Sequence, residues 1–318
     1  MKISIVIPVY NESESLPLLH QSLHNSLDDH TEFEWEVIYV DDGSSDDSLQ
    51  VLEKLTDDDP NHTTTVALRR NFGQTAAIAA GIDYSQGEII VLLDADLQND
   101  PADIPMMIKK IDQGYDVVSG WRKKRHDTFI TRRFPSHIAN WLISMVTGVH
   151  LHDYGCTLKA YRREVLTGFR LYGEMHRFIP AYANAVGAKI TEVPVHHHGR
   201  KYGVTKYGLN RTLKVILDLF TTKFLISYSH KPIYLFGGAG LLLIFFSAAT
   251  LLFLMVRRLW LGTSVLASPL FQMSSMFVIL GFQSILMGLI AELLARTYHE
   301  SQAKPTYTIS KVITGNDD

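Results

Sequence analysis

The chain has 318 residues, 46% of them hydrophobic, and a formal net charge of −3, which gives no general attraction to nucleic acid and leaves any anion binding to local basic clusters. Its single cysteine, Cys156, excludes an intrachain disulfide; nothing demands an oxidising compartment, and a buried structural thiol is expected there. The apolar excess is uneven, because residues 1–229 read as ordinary soluble α/β sequence while residues 232–294 are mostly apolar, so a soluble head and a membrane tail are expected.

Along the head, apolar β-branched runs at 3–9, 35–40, 64–68, 88–93 and 116–119 are strand candidates. The first runs straight into Asn11-Glu12-Ser13-Glu14 with no small-residue cleavage site, which predicts a strand rather than a signal peptide. Helical stretches at 14–27, 46–55, 74–84 and 101–113 alternate with the strands, the last opened by Asp100 as N-cap and Pro101 at its first position. That alternation predicts a doubly wound, mostly parallel sheet, and in such sheets ligands bind beyond the carboxyl ends of the strands. Those ends are polar: Tyr10-Asn11-Glu12, Asp41-Asp42-Gly43-Ser44, Arg69-Arg70-Asn71, Asp94-Ala95-Asp96 and Gly120-Trp121-Arg122.

Asp94 and Asp96, one residue apart after an apolar strand, can both turn toward one hard cation, and such a cation can bridge a diphosphate. Asp41-Asp42-Gly43-Ser44 also reads as a capped turn, with Ser44 or Ser45 opening the next helix. Arg122, Lys123, Lys124, Arg125, Arg132 and Arg133 form a basic cluster suited to a phosphate. Successive strand residues face opposite sides, so His196-His197-His198 cannot all reach one metal ion.

The tail holds two apolar runs, about 232–256 and 270–294, each long enough to cross ~30 Å of hydrocarbon as a helix. Gly237, Gly238, Gly240, Ser284 and Gly288 permit close helix contact, and Gln283 is expected to face protein. Residues 206–231 interleave apolar and basic positions as an interfacial amphipathic helix pair would. Arg211, Lys214, Lys223, Lys231, Arg296, Lys304 and Lys311 flank the head-side ends against Arg257 and Arg258 in the connecting loop, which places the head and both termini in the cytoplasm of a cell with this protein in its inner or plasma membrane.

Ile7-Pro8-Val9-Tyr10-Asn11-Glu12, Val40-Asp41-Asp42-Gly43-Ser44 and Asp94-Ala95-Asp96-Leu97-Gln98, in that order, resemble family-two glycosyltransferases of the GT-A fold. Arg70 to Gln74, Asp153-Tyr154-Gly155-Cys156 and Val193 to His197 are similar to the branch acting on polyprenyl phosphates. The resemblance implies a GT-A head over 1–205, interfacial helices over 206–231, two transmembrane helices within 232–295 and a cytoplasmic tail over 296–318. It implies Pro8, Tyr10, Glu12, Asp41, Asp42, Asn71, Gln74 and Asp94 for the nucleotide, and Arg122, Lys124, Arg125, Arg132 and Arg133 for the lipid phosphate. Mg²⁺ or Mn²⁺ would sit at Asp94, Asp96 and Gln98, with Asp94, Asp96, Asp153 and Arg200 carrying the chemistry. Arg200 belongs to a segment, 200–207, that is similar to the family's Arg-to-Lys-Tyr motif with Thr205 in place of serine.

The expected reaction is inverting transfer of a hexose, glucose from UDP-glucose first, to undecaprenyl or another polyprenyl phosphate; an aminoarabinose-type donor is the alternative. A homo-oligomer and a lipid bilayer are the expected partners. A processive polysaccharide synthase would carry a Gln-x-x-Arg-Trp segment and more spans, and a lipid-sugar flippase needs ionisable groups at the centre of its spans.

Overall fold

The computed structural model describes residues 1–123, 143–145, 147–166, 175–199, 233–266, 268–301 and 309–314. Contacts divide the chain into two compact units, Met1–Leu219 with Pro305–Asp318, and Phe220–Lys304.

In the first unit the alternating elements are β1 (Lys2–Val9), α1 (Leu16–Leu27), β2 (Glu34–Asp41), α2 (Ser48–Asp58), β3 (Thr63–Leu68), α3 (Gln74–Tyr84) and β4 (Ile89–Leu92). After them come α4 (Ile104–Asp112), β5 (Val117–Trp121), β6 (Lys159–Arg162), α5 (Arg163–Leu166), α6 (Ile179–Ala185), β7 (Ile190–Pro194) and, far along the chain, β8 (Ile309–Thr314). They form one sheet in the order β7-β5-β6-β4-β1-β2-β3-β8. The pairs β1–β2, β2–β3, β1–β4 and β5–β7 are parallel; β6 runs antiparallel to β4 and β5, and β8 antiparallel to β3. The sheet is thus mostly parallel, as expected, with β6 and β8 as its antiparallel members.

Chain order reverses between β1 and β4, leaving a crevice at their carboxyl ends where such sheets hold ligands. Helices cover both faces, so the central strands are buried on both sides: Ile3, Ile5, Val6, Ile7, Ile90 and Val91 have no exposed surface. Strand β6 starts where β4 ends, with Lys159 in register with Leu92, which carries the residues before β6 to the same crevice.

The expected tail over 296–318 contains structure of its own: 309–314 closes the sheet beside β3, with Lys311 Nζ 3.2 Å from Glu53 Oε1 and Arg69 Nε donating to the Ile309 carbonyl at 3.3 Å. An added strand there covers edge groups that would otherwise stand open.

The second unit is a pair of packed helices, α7 (Ile233–Leu261) and α8 (Pro269–Ser301), each holding a segment long and apolar enough to cross a membrane, Leu235–Leu261 and Pro269–Ala291. Both outlast the expected spans, and Arg257 and Arg258 lie within α7, which runs on to Leu261, instead of starting the loop. A Cβ on Gly240 would stand 2.5 Å from the Gly281 carbonyl oxygen, and one on Gly281 2.7 Å from that of Gly240, so small residues set the approach. Ser247 and Ser274 hydroxyls each donate to the other's carbonyl at 2.8 Å. Gln283 differs from expectation: it is exposed. The interfacial pair expected over 206–231 lies outside the described residues.

Gly43 connects the fold to the site. Its φ is 67°, and a Cβ there would lie 2.5 Å from the Arg70 carbonyl carbon and 2.6 Å from the Asn71 nitrogen, both backbone atoms that cannot yield alone. Gly114, at φ 93°, has nothing within 4 Å of an added Cβ. Gly43→Ala is therefore expected to destabilise the protein by about 1–3 kcal/mol more than Gly114→Ala, because only the former adds a clash to the left-handed strain. Thermal unfolding of the two variants in detergent checks this; equal losses would contradict it.

Candidate active site

The loop after β1 docks on the loop after β2. Asn11 takes a left-handed conformation, φ 55°, that asparagine tolerates. Its backbone N–H donates to Ser44 Oγ at 3.0 Å while Ser45 N–H donates to its Oδ1 at 2.8 Å. Glu12 N–H donates to Ser48 Oγ at 2.9 Å. Pro8, Tyr10 and Glu12 are half-buried around this junction.

Asp41 and Asp42 are buried. Asp41 accepts from Ser44 N–H at 3.2 and 3.3 Å, closing the turn read from the sequence, but α2 begins at Ser48 with Asp47 at its N-cap rather than at Ser44 or Ser45. Asp42 reaches the next loop, where Phe72 N–H donates to its Oδ1 at 2.7 Å and Gly73 N–H to its Oδ2 at 2.9 Å. Burial raises the pKa of both acids, and these hydrogen bonds oppose the rise. Asp42 thus fixes the 70–73 loop that carries Asn71, an exposed residue, and leads into Gln74.

At the end of β4, Gln74 Nε2 donates to Asp94 Oδ1 at 2.8 Å and Thr157 Oγ1 to its Oδ2 at 2.5 Å. Asp96 Oδ1 accepts from the Gln98 N–H at 3.2 Å across Leu97, which stands at φ 59°. A branched residue in that region is strained by about 1–2 kcal/mol, and such strain gathers at functional sites. Burial and then the charge of Asp96 push the Asp94 carboxyl up to about 6, against the Thr157 hydrogen bond and the charges of Arg122 and Lys159. A divalent cation would relieve both causes, and Asp94, Asp96 and Gln98 offer the oxygen donors that hard cations take, so this donor set fits one.

Arg122, at the end of β5, is gripped from both sides by Asp153. Its Nε donates to Oδ2 at 2.7 Å and its Nη2 to Oδ1 at 2.9 Å. Asp153 is only 2% exposed, and Gly155 N–H donates to the same Oδ1 at 3.2 Å. Burial pulls the Arg122 pKa down, but the hydrogen bond and charge of Asp153 outweigh it and the net shift is upward. The two residues read separately, one for lipid phosphate and one for chemistry, are thus partners of each other. Lys123 extends toward solvent with its Nζ 5.6 Å from the Trp121 ring centre.

One cavity is lined by Gln74, Asp94, Asp96, Gln98, Arg122, Thr157, Lys159, His176 and Arg177, among others. Sequence reasoning missed Thr157, Lys159, His176 and Arg177. Lys159 is buried, its Nζ donating to the carbonyls of Tyr154, at 3.2 Å, and Cys156. A charged residue inside an apolar run at 158–161 was its one signal. His176 Nδ1 lies 2.7 Å from Thr75 Oγ1, a pairing 101 residues apart that no local pattern encodes. Cys156 is fully buried and burial pushes its thiol up to about 11, an inert state.

His196 and His198 bond different acids, Asp103 at 2.8 Å and Asp100 at 3.0 Å, while His197 bridges to Asn99. Lys124, Arg125, Arg132, Arg133 and Arg200 lie outside the described residues.

Residues 4–169 match the family model described as glycosyl transferase family 2. The chain is 40% identical over 315 residues to the dodecaprenyl-phosphate galacturonate synthase of Rhizobium johnstonii, covering 98% of this chain and 93% of that protein. It is 38% identical over 313 residues to the undecaprenyl-phosphate 4-deoxy-4-formamido-L-arabinose transferase of Salmonella choleraesuis, covering 98% and 94%. Among solved structures, glucosyl-3-phosphoglycerate synthase from Mycobacterium tuberculosis in complex with Mn²⁺ and UDP-glucose superposes with a TM-score of 0.51 at 18% identity, covering 72% of this chain and 81% of that one, a likeness of fold. The chain belongs to glycosyl transferase family 2, with the GT-A architecture expected from its motifs.

Removing one partner of a buried bidentate pair strands the other charge, so Arg122→Ala is expected to lower stability by about 3–5 kcal/mol. Arg122→Ala/Asp153→Ala should recover much of that loss without recovering turnover if Arg122 also meets a substrate anion. Unfolding and transfer assays on the single and double variants check this. Parallel recovery of stability and turnover would assign the pair a purely structural role.

Proposed function

We propose that the protein transfers a sugar from a UDP donor to a polyprenyl phosphate at a membrane surface, and that this sugar is a galacturonate. The supporting observation is the cavity beyond β4, whose lining joins Asp94 and Asp96 with Arg122, Lys159, His176 and Arg177. A lining with both acidic and basic groups suits a cation-bound diphosphate together with a sugar carboxylate. The near full-length relative at 40% identity is a galacturonate synthase acting on a dodecaprenyl phosphate. The formamidoarabinose transferase supports a second reading. Galacturonate and L-arabinose share an axial position at C4 that glucose lacks, so both are preferred over the glucose expected from the motifs.

In this reading Asp42 sets the loop that receives the nucleotide, with Pro8, Tyr10, Glu12, Asp41 and Asn71 around the same junction. Gln74 and Thr157 orient Asp94, which with Asp96 and Gln98 would hold Mg²⁺ or Mn²⁺. Such a cation would supply positive charge against the departing diphosphate. An acceptor phosphate oxygen forms a bond to the anomeric carbon as the bond from that carbon to the UDP oxygen breaks, and the configuration inverts. Phosphate monoesters have a second pKa of about 6, so the acceptor arrives ionised and no residue must take its proton. Asp153, held by Arg122, is then a positioning residue, and catalysis rests on orientation and charge. Lys124, Arg125, Arg132, Arg133 and Arg200 supply further positive charge for the two anions.

The helices α7 and α8 form the membrane hairpin of this proposal, with the head, the interfacial segment 206–231 and both termini on the cytoplasmic side by the bias of basic residues. A homo-oligomer completes it: Gln283, exposed near the middle of α8, carries an amide that needs a protein partner in hydrocarbon.

Purified protein incubated with undecaprenyl phosphate, Mn²⁺ and a panel of labelled UDP-sugars tests the assignment. UDP-galacturonate is expected to give at least a roughly tenfold higher kcat/KM than UDP-glucose, a difference of about 1.4 kcal/mol in transition-state binding. Equal or better use of UDP-glucose would overturn the sugar assignment. Absence of any lipid-linked product would overturn the acceptor.

A further inference from the structure

The opposite end of the sheet holds a second constellation that transfer chemistry does not use. His20 and His24 lie one turn apart on α1, and both turn toward Asp59, the residue that follows α2. His24 Nε2 is 3.2 Å and His20 Nε2 3.8 Å from Asp59 Oδ2, and the three donor atoms lie within 4.8 Å of one another. Trp35, whose ring packs on His24 and His62, is the second residue of the strand that Asp41 ends, six residues and about 20 Å further on, so this cluster is remote from the cavity.

The other nitrogen of each imidazole is already engaged. His20 Nδ1 is 3.2 Å from the Tyr39 hydroxyl, and His24 Nδ1 is 2.9 Å from Asp28 Oδ2. Asp28 is itself held, because Trp35 Nε1 donates to its Oδ1 at 3.3 Å. An imidazole that donates its Nδ1–H to a fixed oxygen presents Nε2 as a lone pair, and this carboxylate-to-histidine arrangement is how ligating histidines are oriented. Asp59 is fixed as well: His62 Nδ1 lies 2.9 Å from its Oδ1, and Thr63 Oγ1 donates to its Oδ2 at 3.1 Å.

Two imidazole nitrogens and a carboxylate oxygen thus converge on one point from three held side chains. We propose that His20, His24 and Asp59 bind a zinc ion that clasps α1 to the turn between α2 and β3, a water completing the tetrahedron. Zinc–ligand bonds of about 2.0–2.1 Å set donor separations of roughly 3.3 Å, which the two nitrogen-to-oxygen distances bracket. The donor atoms lie within 4.8 Å of one another, so binding the ion draws the widest separation in by about 1.5 Å. Two nitrogens and one oxygen suit zinc, whereas Mg²⁺ demands oxygen ligands, so this site and the Asp94 cluster sort different ions.

Untagged full-length protein in detergent, stripped with EDTA and titrated with ZnCl₂, provides the test through elemental analysis after desalting and through thermal unfolding. One zinc per chain is expected to remain, and unfolding to rise by about 3–5 °C at a hundredfold excess over Kd. Asp94→Asn/Asp96→Asn should keep both effects, while His24→Gln and Asp59→Asn should abolish them. Cobalt(II) gives a check that needs no variant: the wild-type chain should develop the visible absorption of tetrahedral cobalt, displaced by zinc. Zinc retained undiminished by His24→Gln, zinc lost with the Asp94 and Asp96 substitutions, or a wild-type chain without the cobalt spectrum would each overturn the site.

Discussion

The crevice between β1 and β4 gathers carboxylates in a place poorly supplied with water, and the arrangement around it follows from the need to compensate them. An ionised carboxylate taken from water must find donors or an opposite charge, or it gives up its ionisation. Asp42 is met by two backbone N–H groups of the 72–73 loop, Asp41 by the Ser44 N–H, and Asp153 by the Arg122 fork. Asp94 is met only in part, by Gln74 and Thr157, and stays poised near a pKa of about 6. The upward shift is large enough at Asp94 to reach about 6, with the neighbouring charge of Asp96 adding to burial, and this is where a cation would supply compensation.

The antiparallel strand β6 makes this possible. A parallel strand at that place would enter from the far end of the sheet, whereas β6 starts level with the last residue of β4 and brings Thr157 and Lys159 directly to Asp94. The Asp153 loop arrives on the same course and pairs with Arg122 from β5. Asp94 and Arg122 are therefore electrostatically linked through one short stretch of chain, and a change at either is expected to be felt at the other.

Much of this was legible in the sequence. Five strands, the four helices among them, the acidic pair after β4 and the two apolar helices each carry a strong local signal, either periodicity or a run of apolar residues. Strands β6, β7 and β8 did not, because each is four to six residues long and mixes charged with apolar positions, so tertiary pairing decides them. The Arg122–Asp153 pair was visible as two residues and invisible as a pair, since 31 residues separate them. The same holds for Asp42, whose role in bracing the loop that carries Asn71 depends on a backbone approach at Gly43 that only the fold creates. Gln283 shows the converse: its depth along the helix was readable, but which face meets α7 was set by Gly240, Ser247, Ser274 and Gly281.

The central claim is that Asp94 and Asp96 hold the cation through which the UDP diphosphate is bound. Calorimetric titration of UDP into the full-length protein, with Mn²⁺ and with EDTA, tests it most directly. UDP affinity should fall at least about tenfold in EDTA, and Asp94→Asn or Asp96→Asn should show the weak affinity under both conditions, with thermal unfolding essentially unchanged. Full UDP affinity in EDTA, or a manganese effect that survives both substitutions, would contradict the account.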